Sequence, residues 1–292
     1  MAQVRYPSPG VVDMLVFLPH VIAQLIREVP LGILLNTLVI LLLNLPLMLI
    51  ELLYDIQHPH PLLDLTLPQR ITIKLFRLAF TWFDYRVCRT AFSSAASLPL
   101  MERRFGGKKE FDMHCAPVIS HKLLRGYWLA PSGHAHHLAQ GHCPSSLDQE
   151  EKTRWTLCYF HGGGFVMGSP ALYLEFLHKL RLTLAQTDSM QNAMIFVPAY
   201  PLAPEARQPA QADAARAVWA YLSAHPAVDT TRMALGGDSA GGTIALGLRM
   251  AITASLTQPE MSSYRDLPSP SQMMSVVSHS ASTRLTNAVI AA

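Results

Sequence analysis

Three short apolar runs recur through the middle of the chain, each set off by polar or glycine-rich residues. They are Trp155–Phe160 (WTLCYF), Met194–Val197 (MIFV) and Met233–Leu235 (MAL). Continuous rather than alternating runs suit strands buried on both faces, as in a parallel sheet. Helix-like stretches fall between them, at about Leu172–Thr187 and Gln208–Ala224. The alternation predicts right-handed βαβ units. Ile119–Leu129 reads as an earlier strand or hairpin, and Pro131–Lys152 as a polar, turn-rich loop. After about Ala254, serines and prolines crowd in with no strand-like run, which predicts loop or disorder.

The N-terminal pattern is different. Residues 1–30 contain apolar groups but are broken by Asp13, Pro19 and His20, and they lack the basic start and cut site of a signal peptide. Leu31 to Ile50 is a run of 20 residues without a formal charge, bounded by Glu28 and Glu51. As a helix it would cover about 30 Å, the thickness of a bilayer's hydrocarbon core. A membrane span is expected; a buried helix, or an interfacial hairpin entering one leaflet, are the alternatives, and Asn36, Asn44 and Pro46 weaken the span. Between Arg70 and Lys109 there are nine Lys/Arg against two acids, with Leu75, Phe76, Leu78, Phe80, Trp82 and Phe83 interleaved. Arg70, Lys74 and Arg77 share a helical face. That face suits either anionic lipid at a membrane surface or a solvated basic face packed on the catalytic domain.

Composition narrows the partners. Half of the residues are hydrophobic and 15% are charged, below the roughly one quarter of ordinary soluble chains. A net charge of +3 does not suggest nucleic acid. Cys88, Cys115, Cys143 and Cys158 match no zinc pattern or disulfide framework. His134, His136, His137 and His142 lie near Cys143, but no nearby acid or regular element fixes them, so a histidine-rich loop is expected rather than a metal site. No metal or cofactor is expected.

The chemistry is concentrated in two glycine motifs. Gly237-Asp238-Ser239-Ala240-Gly241-Gly242 follows the third apolar run and leads into Thr243–Leu248. This is strand, sharp turn, helix with a serine at the apex, the G-x-S-x-G nucleophile elbow. Side chains at Gly237 and Gly241 would obstruct so tight a turn. The first run is followed by His161-Gly162-Gly163-Gly164-Phe165. Consecutive glycines after a strand let backbone N–H groups approach a reacting carbonyl, as an oxyanion hole requires. Neither the phosphate-loop nor the dinucleotide spacing is present.

Together these motifs resemble the hormone-sensitive-lipase-like branch of the α/β-hydrolases, which includes arylacetamide deacetylase. A third element, Ala199-Tyr200-Pro201-Leu202-Ala203-Pro204-Glu205, looks like the family's Y-R-L-A-P-E segment, with Pro201 where arginine is usual. The resemblance covers about Leu124 to Met250. It implies an α/β fold with a mostly parallel sheet and flanking helices, and carboxylesterase or lipase chemistry on lipophilic esters or amides. It implies Ser239 as nucleophile and Gly163, Gly164 and Ala240 as oxyanion donors. His161, Gly162, Gly237, Asp238 and Gly241 are supporting residues, and Glu205 a local hydrogen-bonding group. Relatives with an N-terminal anchor suggest single-pass attachment to a membrane of endoplasmic-reticulum type.

The family's order is Ser, then acid, then His. Asp266 and His279 follow Ser239 in that order, but neither has a strand-like segment before it. The acid and base are therefore expected to be missing, with the sheet incomplete at the C-terminus and the activity impaired. The competing expectation is a membrane-tethered binding or regulatory protein. The predicted layout is an N-terminal segment at 1–30, a membrane helix at 31–54 and a basic amphipathic cap at 70–110. A partial hydrolase core at 117–254 and a disordered tail at 255–292 complete it.

Overall fold

The computed structural model describes residues 10–58, 67–121, 124–144, 154–257 and 290–291. Six helices come first: α1 (Val11–Glu28), α2 (Leu31–Gln57), α3 (Leu67–Trp82), α4 (Tyr85–Ala91), α5 (Ser94–Arg104) and α6 (Lys108–His114). The sheet is built from β1 (Cys115–His121), β2 (Leu124–Leu129), β3 (Thr156–Phe160), β4 (Met194–Ala199), β5 (Met233–Gly237) and β6 (Ile290–Ala291). Among the described residues, four more helices connect its strands: α7 (Ala135–Ala139), α8 (Leu174–Leu184), α9 (Ala210–Ala224) and α10 (Ala240–Thr257).

The strand order is β1-β2-β4-β3-β5-β6. β3 pairs in parallel with β4 and β5, and β5 with β6. β1–β2 and β2–β4 are antiparallel, so the sheet is mixed, with the expected parallel part at its centre and an antiparallel edge. The reason is chain length. Only two residues separate β1 from β2, enough for a hairpin, whereas a parallel neighbour needs a crossover of a dozen or more. β3–α8–β4 and β4–α9–β5 supply such crossovers.

The continuous apolar strands follow from cover on both faces. Cys158, Phe160, Phe196 and Trp128 pack with Ala214, Val218 and Leu222 of α9 and Ile244 and Leu248 of α10. The alternate residues Leu157, Tyr159, Ile195 and Val197 pack with Leu174 and Leu177 of α8 and with Met101, Phe105 and Phe111. β3 has no exposed residue for this reason. α8 is shorter than the predicted 172–187, because Pro170–Tyr173 forms a 3-10 turn before it.

Two N-terminal readings change. Asp13, read as a break, lies inside α1 and anchors it. Its carboxylate accepts from the Gly10 N–H at 2.9 Å and pairs with Arg103 at 3.1 Å and Arg104 at 3.0 Å. Arg104 also pairs with Glu175 of α8 at 2.6 Å, so α5 ties α1 to the sheet layer. The basic face of α3 turns toward α2. Lys74 pairs with Glu51 at 3.1 Å and Asp55 at 2.9 Å, and Arg77 with Glu51 at 3.7 Å. At the other end, α10 runs to Thr257, and Ile290–Ala291 pairs with Gly236 and Gly237 where loop was expected. The intervening tail, with Asp266 and His279, lies outside the described residues.

Candidate active site

β5 ends at Gly237 and α10 begins at Ala240, so Asp238 and Ser239 make the whole turn. Ser239 sits at φ +49°, a left-handed conformation rare for a residue with a side chain. Its side chain is exposed at the crest of the sheet. The flanking glycines are required by contact. A Cβ on Gly241 would lie 2.0 Å from the Phe160 carbonyl oxygen and 2.5 Å from that of His161. One on Gly237 would lie 2.5 Å from the Gly241 carbonyl carbon. The elbow is seated directly on the end of β3.

The glycine loop leaves that same strand end. Gly163 has φ +117° and Gly164 φ +61°. A Cβ on Gly163 would meet the Met167 carbonyl oxygen at 2.1 Å, because Val166 and Met167 donate back to the Gly163 carbonyl at 3.1 and 3.0 Å. The Gly162 N–H is already used, donating to Asp238 Oδ1 at 2.8 Å. The N–H groups of Gly163, Gly164 and Ala240 donate to no acceptor among the described residues. Ala240 opens α10, where the helix dipole adds partial positive charge. Unspent donors next to a serine hydroxyl can stabilise charge that develops on a carbonyl oxygen.

Asp238 holds the two motifs together. Besides Gly162, its carboxylate accepts from the Tyr159 hydroxyl at 3.2 Å and the Tyr173 hydroxyl at 2.9 Å. Burial, reinforced by the bond to Asp238, pushes the Tyr173 phenol up to about 12. His161 is buried, and burial holds its pKa down to about 4. Its Nδ1 is 2.7 Å from the Gly162 carbonyl oxygen, to which it donates when protonated there, and its ring stacks on Tyr200 at 4.3 Å. The Tyr200 hydroxyl donates to the His161 carbonyl at 2.6 Å. A neutral imidazole fixed in this way braces the loop.

One residue of this assembly escaped the sequence reading. Arg89 of α4 donates through Nε to the Val166 carbonyl at 2.8 Å, through Nη2 to the Ala203 carbonyl, and through Nη1 to Glu205. It joins the glycine loop, 77 residues further along the chain, to the Ala203–Glu205 segment, more than a hundred residues further along. The only hint was Pro201, which leaves that segment without the arginine it usually carries. Glu205 is held below the usual carboxylate range, chiefly by its hydrogen bond with Arg89.

Among the described residues, no side chain hydrogen-bonds the Ser239 hydroxyl. The buried histidines are engaged elsewhere: His225 bonds the Leu138 carbonyl at 2.8 Å, and the His178 ring packs 4.7 Å from Phe105. No group of three His, Cys, Asp or Glu able to hold a metal occurs among the described residues.

Residues 157–287 match the model of a family described as alpha/beta hydrolase fold. The sheet with helices on both faces agrees with that fold. Over 105 residues the chain is 38% identical to "Esterase LipI" of Mycobacterium tuberculosis (strain ATCC 25618 / H37Rv), covering 35% of this chain and 30% of that protein. Over 110 residues it is 34% identical to "Ethyl acetate hydrolase" of Pseudomonas putida, covering 36% and 32%. The chain thus spans about a third of the length of the curated relatives it matches. A solved esterase of the bacterial hormone-sensitive lipase family matches with TM-score 0.37 and 23% identity, over 56% of this chain and 46% of that one.

Proposed function

We propose that the chain is a carboxylic ester hydrolase that works through an acyl-enzyme on Ser239. The observation that carries this is the pairing of an exposed, left-handed serine with the unspent N–H groups of Gly163, Gly164 and Ala240. In this reading Ser239 Oγ attacks the substrate carbonyl carbon and the carbonyl oxygen takes negative charge. The three N–H groups receive that oxyanion, and the alcohol or amine then leaves with a proton. His161, Gly162, Gly237, Asp238 and Gly241 act by holding those donors in place. The relatives named as esterase and ethyl acetate hydrolase support ester substrates.

A serine hydroxyl also needs a base. None of the described residues supplies one, and Asp266 and His279 remain the pair in family order. The 292-residue chain is expected to turn over slowly. The same observation favours a second reading, a binding or regulatory protein that keeps the acyl site without the base. Labelling with a fluorophosphonate separates the two, since it needs an activated serine. Labelling that Ser239→Ala abolishes supports the hydrolase. Hydrolysis of p-nitrophenyl butyrate lost in both Ser239→Ala and His279→Ala would show a working triad and overturn the expectation of slow turnover.

Membrane attachment belongs to the proposal. Among the described residues, α2 is the one helix long and apolar enough to cross a bilayer. Lipophilic substrates dissolved in such a membrane, of endoplasmic-reticulum type, would suit the family's chemistry.

A further inference from the structure

Among the described residues, every exposed large hydrophobic side chain except Phe176 lies on α1, α2 or α3. α2 has a mean hydropathy of 2.5 over its most apolar window, of which 6% is buried. α1 exposes Leu15, Leu18, Ile22 and Ile26 along one helical stripe, and α3 exposes Leu67, Ile73, Leu75, Phe76, Phe80 and Trp82. Apolar surface of this extent on so long a helix fits acyl chains better than a protein partner.

The ends of α2 decide how it meets them. Before its apolar run, Glu28 accepts from the Thr90 hydroxyl at 3.4 Å, at the end of α4. After the run, Glu51 pairs with Lys74. Two residues beyond Lys74, the Phe76 ring packs on Phe92 at 5.8 Å, and one turn on, Cys88 reaches the Ala79 carbonyl. Thr90 and Phe92 flank the end of the same short helix. A single crossing of a core about 30 Å thick would put Glu28 and Glu51 on opposite faces; Glu28 instead meets α4 directly, and Glu51 pairs with Lys74, two residues from the Phe76 ring that packs on Phe92 just after α4. Two crossings fail on length. From Lys74 to the start of α4 at Tyr85 is 11 residues, about 16 Å as helix.

We propose that α1, α2 and α3 lie in one leaflet as a monotopic platform, with acyl chains on their apolar faces and both ends of α2 on the side that carries the sheet. The salt bridges of Lys74 with Glu51 and Asp55 neutralise charges that would otherwise face lipid. This rests on the membrane attachment proposed above and replaces its single crossing.

The test uses the full chain in sealed microsomes. The sequence has no Asn-x-Ser/Thr triplet, so glycosylation acceptors can be placed one at a time at the N-terminus, between α2 and α3, and at the C-terminus. The chain should float with the vesicles, and the two terminal acceptors should behave alike. If neither is modified, the middle acceptor should be unmodified too. If both are modified, the middle segment should resist protease added outside. Modification of one terminus alone means a single span. The middle segment alone modified, or cut from outside while both termini are modified, means two crossings. Either result overturns the proposal. A chain that does not float refutes membrane attachment itself and points to a second copy or a soluble partner on the apolar face.

Discussion

Asp238 is the residue whose removal should most directly loosen the site without touching Ser239. Its carboxylate accepts from the Gly162 N–H at 2.8 Å, the Tyr173 hydroxyl at 2.9 Å and the Tyr159 hydroxyl at 3.2 Å. A hydrogen bond to a charged group contributes about 1.5–3 kcal/mol, but bonds sharing one carboxylate do not add. Asp238→Ala leaves Gly162 an alternative acceptor, since the Tyr173 hydroxyl is 3.2 Å from its N–H. Asp238 is also only half-buried, so water replaces part of the loss. The expected cost is about 3 kcal/mol, or a fall in Tm of roughly 6–12 °C. Tyr173→Phe removes one of the three bonds and should cost about 1 kcal/mol. Urea unfolding followed by tryptophan fluorescence in detergent measures both. Asp238→Ala within about 1 kcal/mol of the parent would refute the reasoning. Equal losses from Asp238→Ala and Tyr173→Phe would refute it as well, because the carboxylate would then not be the hub.

The two kinds of glycine should separate. Gly241→Ala pushes a methyl into the Phe160 carbonyl and should cost at least ~3 kcal/mol, read as loss of soluble folded protein. Gly164→Ala meets no atom within 4 Å and should cost about 1–2 kcal/mol for its left-handed backbone alone. Stability should fall with acidity. Burial holds His161 at about 4 and His178 at about 3. Both lie below the unfolded value, so the unfolded chain takes up these protons first. Stability from these groups is level above about pH 6.5 and falls by about 1.4 kcal/mol per pH unit per histidine down to about pH 4. Urea midpoints at pH 7, 6 and 5 would show it, and His178→Phe should remove about half of the slope. Arg89→Met frees the Val166 and Ala203 carbonyls and should cost about 2 kcal/mol while slowing fluorophosphonate labelling of Ser239. Arg89→Lys should recover little, because one ammonium nitrogen cannot reproduce the spread of the three guanidinium nitrogens toward three separate acceptors.

The central strands, their crossover helices and the two glycine motifs were legible in the chain itself. Each depends on local patterning, either an apolar run buried on both faces or glycines where backbone must approach backbone. Gly241 reads as necessary before its 2.0 Å approach to Phe160 is known. Three features were decided only by tertiary packing. Asp13 looked like an interruption because its partners Arg103 and Arg104 lie some ninety residues away. Arg89 could not be assigned because hydrogen bonds to carbonyls depend on where three separate segments meet. The apolar run of α2 carries its length and hydropathy in the sequence, which is why a span was expected. The proposed orientation rests on Glu28 meeting Thr90 of α4 and Glu51 meeting Lys74 of α3, and no local pattern records those contacts. Sequence determines what each segment can bury or expose; which of those options is realised depends on long-range partners that form only when the chain has folded.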